Sequence, residues 1–199
     1  MFPDFLENPS DVAAPLLLGC TLTRTLTLNG EKHKLVARIV ETEAYDQDDP
    51  ASHAFGGPSE RNAAMFGPAG HLYVYVSYGM HHCCNIVCGP EGFGSGCLVR
   101  AVEPLEGVEV MRELREAGRT GKHPLKLRDL TNGPGKVCAA LGIDKELYGH
   151  DLTVEPLMLD FAPLLPGETI GSSPRVGISK NVDAPKRFFI EGNAFVSRA

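Results

Sequence analysis

The chain has 199 residues, 43% hydrophobic and 22% charged, values that suit one globular domain over residues 1–199 and exclude wholesale disorder. A domain of this size buries roughly 70% of its unfolded surface, so a core is available without a disulfide framework or a metal staple. No apolar run reaches the about 18 residues of a membrane span, and the start, MFPDFLENPSD, lacks the basic and apolar regions of a secretion signal. A soluble, cytoplasmic, monomeric protein is expected, and its formal net charge of −6 argues mildly against a partner as anionic as nucleic acid.

Residues 1–20 read as a short capped helix, with Ser10 or Asp11 as the cap, Val12 to Leu18 as its apolar residues and Gly19 as its stop, and Pro15 tolerable only in its first turn. TLTRTLTLN (21–29) alternates with period two and predicts a half-buried strand; Asn29-Gly30 predicts a tight hairpin, and 34–45 the returning strand. A loop rich in Asp, Pro, Gly and Ser covers 46–62. HLYVYVSY (71–78) and HHCCNIVC (81–88) predict two strands around Gly79-Met80, and the glycine-rich turn 89–96 leads into a strand at 97–103. The pattern turns helical from 105 to about 118, and Pro134 and Gly142 frame a further helix. The tail, 151–195, alternates short strands with Pro/Gly turns. Together these elements predict an α+β fold: a curved antiparallel β-sheet core, flanking helices and a protruding β-hairpin.

The charge average hides an asymmetry. Arg112, Arg115, Arg119, Lys122, Lys126, Arg128 and Lys136 face only Glu113, Glu116 and Asp129 in the same stretch, seven against three, a local +4. Such a segment is either a solvated helix face and loop or an anion-binding surface. The six cysteines lack the density and spacing of a secreted scaffold and are expected as free thiols.

In the strand 34–45, strict alternation sends Leu35, Ala37, Ile39, Glu41 and Glu43 to one face. Two carboxylates about 7 Å apart then extend an apolar row. Partial burial would make one a usable base, and the pair also fits a glycosidase; alternatively the strand leaves the core at Glu41 and both are solvated. His81, His82, Cys83, Cys84 and Cys88 invite a metal, but neighbours on a strand point to opposite faces, so no metal is expected. Tyr73 reads as core, whereas Tyr78, at a hairpin tip beside Met80, fits a surface wedge. GPGKV (133–137) lacks Walker spacing and no G-x-S-x-G occurs. No lysine lies between Lys34 and Lys122, which disfavours a Schiff base and leaves water as the attacking group.

RIVETEAY (38–45), His53, RN-x-x-MF (61–66), G-H-LYVYVSYGMHHCCN (70–85), LVRAVEPLEG (98–107), PRVGIS (174–179) and RFFIEGNAFVSR (187–198) together resemble the alkyladenine, or 3-methyladenine, DNA glycosylases of the mammalian/Bacillus type. Glu60, His82 and Lys186 depart from that pattern.

The resemblance implies a monofunctional DNA glycosylase of base excision repair, acting without cofactor on double-stranded DNA that contains damaged purines. It implies Glu43 as the base that activates water, Arg100 as the arginine that helps hold it, and Tyr45, His53, Tyr75 and Asn85 as the base pocket. Tyr78 and Met80 would enter the duplex, and Arg61 and Lys136 would contact the DNA backbone. Chemistry agrees in kind: a stacked base hides its glycosidic carbon, so it must be extruded. A cationic alkylpurine is attracted by aromatic faces. The basic segment, 112–136, then reads as a phosphate surface. Two rivals stand beside this reading: a non-catalytic lesion-binding protein on the same fold, and a small-molecule nucleoside or glycoside hydrolase using Glu41 and Glu43.

Overall fold

Thr and Leu in alternation draw the chain into β1 (Thr21–Leu28), and Asn29 and Gly30, both at positive φ, turn it back into β2 (Glu31–Asp46). Positive φ at both residues is what the twist of a two-residue hairpin demands, and Asn and Gly reach it most easily. The computed structural model describes residues 4–117 and 123–197. Arg119 and Lys122 of the basic segment, Arg198 of the tail motif and residues 1–3 lie outside the described residues.

The fold is α+β, as the element pattern predicts. β3 (Leu72–Ser77) and β4 (His81–Val87) form the second hairpin, β5 (Ser95–Glu106) follows, and the tail adds β6 (Leu157–Asp160), β7 (Ile170–Ser173) and β8 (Arg187–Ile190). All pairings between these strands are antiparallel, in the order β3-β4-β5-β2-β1-β6. The 16-residue β2 is the spine. β5 follows one edge of it, while the other edge is shared: β1 takes Glu31–Arg38 and β8 takes Glu41–Glu43. That division brings the C-terminal tail to the far half of β2. β7 then pairs with β8 on its outer side.

α1 (Ser10–Leu16) packs on β2 and α3 (Pro134–Leu141) on β4 and β5, with α2 (Val108–Glu116) against α3. Neither Ser10 nor Asp11 caps α1. Pro9 is the N-cap, and the orphan amide of Ser10 donates instead to Asp46 Oδ1, 3.1 Å away on β2. Pro15 sits in the last turn rather than the first. It forfeits its own bond back to Asp11, while the amides after it, Leu17 and Leu18, still bond Ala13 O and Pro15 O. Gly142 stops α3 in the left-handed conformation, as predicted. All six cysteines are buried free thiols.

The predicted parity of β2 fails at Val40. Ile39 pairs with Val102 and Glu41 with Ala101, so Val40 is an extra residue, a β-bulge. Below it Leu35, Ala37 and Ile39 fill the main core. Above it the core residues are Val40 and Ala44, while the Thr42 hydroxyl bonds Ala14 O of α1. Glu41, Glu43 and Tyr45 are therefore turned to the opposite face, away from the Leu35–Ile39 row. A second irregularity leaves Arg100 unpaired on β5, between Ala101 opposite Glu41 and Val99 opposite Thr42. On the site side of the sheet a smaller apolar cluster forms from Ala54, Met65, Tyr73 and Val87.

Candidate active site

Both carboxylates beyond the bulge are fully buried, which removes the solvated reading. A buried carboxylate persists only if its charge and lone pairs are satisfied. Glu41 is satisfied by structure. It accepts from Arg187 Nε at 2.6 Å, Arg100 Nε at 3.2 Å, and the Ser197 amide and hydroxyl at 2.7 and 2.8 Å. β2, β5, β8 and the chain's end are thereby tied together.

Glu43 is arranged differently. Its Oε2 accepts from the Tyr45 hydroxyl at 2.8 Å, and its Oε1 accepts the Val176 amide at 2.8 Å with Arg100 Nη1 at 3.3 Å. Glu43 lines a cavity of about 580 Å³ and Glu41 does not. The bulged position of Arg100 explains how one guanidinium reaches both acids. Burial, reinforced by the Glu43 charge, pushes the Tyr45 phenol far above its ordinary value, so it stays a donor.

The cavity wall also carries His53, Tyr75, Asn85 and Tyr78. His53 stands edge-on to the Tyr75 ring at 4.5 Å, and its Nδ1 lies 3.0 Å from the Tyr73 hydroxyl. Tyr73 is core, as expected, yet it is also part of this wall: its ring stacks on Tyr75 at 5.5 Å. Burial pushes the Tyr73 phenol up to about 12 and Tyr75 further. Burial and then the charge of Arg61 hold the His53 imidazole below its ordinary value. The loop carrying His53 is anchored by Asn62, whose Nδ2 donates to the carbonyls of His53 and Gly57.

Tyr78 reaches from the cavity rim to the hairpin tip, and Met80, Arg61 and Lys136 lie around the cavity rather than in it. Tyr78 and Met80 are 86% and 74% exposed at the hairpin tip. Tyr78 holds a φ of +50°, a strained conformation for a bulky residue. Arg61 lines a separate groove with Glu60, Lys145 and Tyr148. Lys136, in the first turn of α3, bonds Asn132 Oδ1 at 2.7 Å, next to Pro134 on the cavity wall. Its ammonium is held below the ordinary value by burial and then by Arg115. Within the basic segment, Arg112 donates to Leu125 O and Arg115 to Leu130 O, while Arg119 and Lys122 lie outside the described residues. Of the three departures from the resemblance, Lys186 reaches Asp49 Oδ2 at 3.5 Å, His82 is half-buried on β4 and Glu60 lies at the groove.

Four contributions come from residues that sequence reasoning left without a role. The Val176 amide touches Glu43; Arg187 and Ser197 hold Glu41; Arg175, fully buried, lies over the Tyr45 ring at 4.5 Å and pairs with Asp49 at 2.8 Å. PRVGIS and RFFIEGNAFVSR carried the signal, but bonds spanning over 130 positions leave no periodicity to read. Lys180, from the same tail, lines the cavity. The lysine-free stretch 35–121 therefore does not keep lysine out of the site, because the site is built from two distant parts of the chain. Among the described residues no group of three or more His, Cys, Asp or Glu is placed to hold a metal. No helix of the described chain is long and apolar enough to cross a membrane.

The sequence profile of a family described as methylpurine-DNA glycosylase (MPG) matches residues 4–194. A protein of Nitrosospira multiformis is 47% identical over 98% of this chain and 92% of its own length. One of Agrobacterium fabrum is 53% identical over 80% of this chain and 77% of its own, and one of Chlorobaculum parvum 48% over 98% and 88%. All three carry the name "Putative 3-methyladenine DNA glycosylase".

Proposed function

The chain belongs to the methylpurine-DNA glycosylase family, and on that footing we propose that it turns alkylated and deaminated purines out of duplex DNA and hydrolyses their N-glycosidic bond with water activated by Glu43. The observation that carries this reading is the cavity: one buried carboxylate at its wall, oriented by Tyr45, Val176 and Arg100, and enough room for a purine beside it.

In this scheme Tyr78, with Met80 beside it, enters the stack as the damaged nucleotide leaves. The inserted side chain offsets an unstacking cost of about a few kcal/mol. The base lies among Tyr45, His53, Tyr75 and Asn85. Water attacks the sugar C1′, its proton passes to Glu43, and the bond from C1′ to the base breaks. The electron pair of that bond leaves with the base, and a hydroxyl remains on C1′ of an unbroken strand. Arg100 holds Glu43 and the water in line. A cationic alkylpurine departs neutral and needs no acid; a neutral purine such as hypoxanthine requires a proton as it departs. Three polar groups on one carboxylate fix its orientation before substrate arrives, the condition under which positioning lowers a barrier.

The placement of Glu41 counts against the paired-carboxylate scheme, because it is fully buried, engaged by two arginines and Ser197, and does not line the cavity in which a sugar or a water would sit. The deciding experiment measures base release from duplexes carrying hypoxanthine or 1,N6-ethenoadenine and from methylated bulk DNA. Glu43→Gln is expected to lower release by about 10²-fold or more while damaged DNA is still bound. Tight binding without release by the unaltered chain would favour the lesion-binding reading. Neither release nor binding would return attention to small glycosides.

A further inference from the structure

The face of Tyr45 turned away from the cavity is charged. Tyr45 lines the cavity and Arg175 does not, so the guanidinium that lies 4.5 Å over the ring occupies its rear face. Arg175 is held there at three points: Nη2 to Asp49 Oδ2 at 2.8 Å, Nη1 to the Ala44 carbonyl at 2.8 Å, and its backbone immediately before the Val176 amide that binds Glu43. Asp49 has a second cation, Lys186 Nζ at 3.5 Å, and the Lys186 carbonyl accepts the Ala44 amide, one residue from Tyr45. Two cations share one carboxylate. Nearer the chemistry the charges cancel in number, Glu41 and Glu43 against Arg100 and Arg187, while Lys180 on the cavity wall and Arg61 beside Tyr73 add positive charge.

We propose that the Asp49–Arg175–Lys186 cluster sets the charge preference of the base slot, biasing excision towards neutral purine lesions and against cationic alkylpurines. An aromatic face attracts a cation through the ring quadrupole, but a cation already on the rear face repels a second one across the ring. A cationic base stacked roughly 3.5 Å in front of Tyr45 would stand about 8 Å from the guanidinium. One uncompensated charge at that distance, with an effective dielectric near 20, changes the ratio in which cationic and neutral bases seat in the slot by about thirtyfold, before the bond breaks. Asp49 removes part of that, and the surplus rests on Lys186, which is farther out and partly solvated. The effect expected from Lys186 is accordingly smaller, about three- to tenfold. Asp49 also receives the Ala51 amide in the loop that leads to His53, so the cluster joins two walls of the slot.

This inference rests on the glycosylase reading above, and its test separates the two. Release of 7-methylguanine, a cation, and of hypoxanthine, neutral, is measured from one duplex sequence as the second-order constant at limiting protein, which includes seating of the base, with the unaltered chain, Lys186→Met and Asp49→Asn. Lys186→Met is expected to raise the ratio of cationic to neutral release three- to tenfold, and Asp49→Asn to lower it by about tenfold. Opposite shifts are the signature of charge, since general loosening of the slot moves both ratios the same way. Lys186 is partly exposed, so Lys186→Met decides the matter alone if Asp49→Asn does not fold. A ratio unchanged in Lys186→Met, with both bases released by the unaltered chain, overturns this inference and leaves the glycosylase reading standing. Release of neither base by the unaltered chain overturns both.

Discussion

His53 Nδ1 and the Tyr73 hydroxyl are hydrogen-bonded at 3.0 Å, and the surroundings decide what state the imidazole holds. Burial first, then the Arg61 charge, lowers its affinity for a proton, so it is neutral at pH 7.5. The folded chain thus refuses a proton that the unfolded chain accepts near pH 6.5. By linkage the unfolded state binds more protons below that value, so the stability tied to this group is complete above it and declines as the pH falls. Thermal unfolding from pH 7.5 to 5.5 should show the unaltered chain losing Tm more steeply than His53→Gln; parallel slopes would mean that His53 titrates as a free side chain. Tyr73 illustrates how a residue can be read correctly and incompletely. Its place on the strand 71–78 marks it as core, which it is, but nothing in the sequence says that its hydroxyl meets a histidine twenty positions earlier.

At the scale of the element, the bulge at Val40 separates fold from chemistry. Alternation below it builds the sheet, and the added residue turns the next two acids out of the core onto the site face. Glu41 and Glu43, two positions apart, then take different work. Glu41→Gln keeps the shape but leaves Arg100 and Arg187 short of a counter-charge. Breaking a buried pair of this kind costs about 3–5 kcal/mol, and at about 2–4 °C per kcal/mol for a chain of this length the Tm should fall by about 6–20 °C. Base release per folded molecule should stay within about tenfold of the unaltered chain. Loss of release at unchanged Tm in Glu41→Gln would revive the paired-carboxylate scheme. The strands, both hairpins and the helix framed by Pro134 and Gly142 were legible because local periodicity and turn residues determine them. The bulge was not, since strict alternation carried Ile39 on to Glu41 and Glu43, and nothing local says that the partner strand skips Val40. Nor was the tail's arrival at β2, which depends on which strand edge β1 leaves vacant.

Across the whole molecule, a net charge of −6 and an anionic substrate are reconciled by placement. Lys180 lines the cavity, Arg61 and Lys145 line the neighbouring groove, and Lys136 stands at the start of α3 beside Pro134 on the cavity wall. Two cations of the basic segment, Arg112 and Arg115 on α2, are bonded to backbone carbonyls of the loop after it. If those four cations are the phosphate contacts, counterion release gives a slope of log affinity against log salt of about −3 to −4. Affinity for damaged duplex should then weaken by about 100-fold between 50 and 200 mM salt, measured with Glu43→Gln so that turnover does not intrude. Lys145→Ala, in the groove and off the cavity wall, should make the slope shallower by about 0.9 and weaken binding to damaged and undamaged duplex alike, because a phosphate contact carries no information about the base. The overall charge of −6 opposes binding of the phosphodiester chain wherever no lesion seats Tyr78 and the flipped base. A slope near zero would place the energy of binding in the base slot and hairpin tip alone; a slope much steeper than −4 would require cations beyond these four.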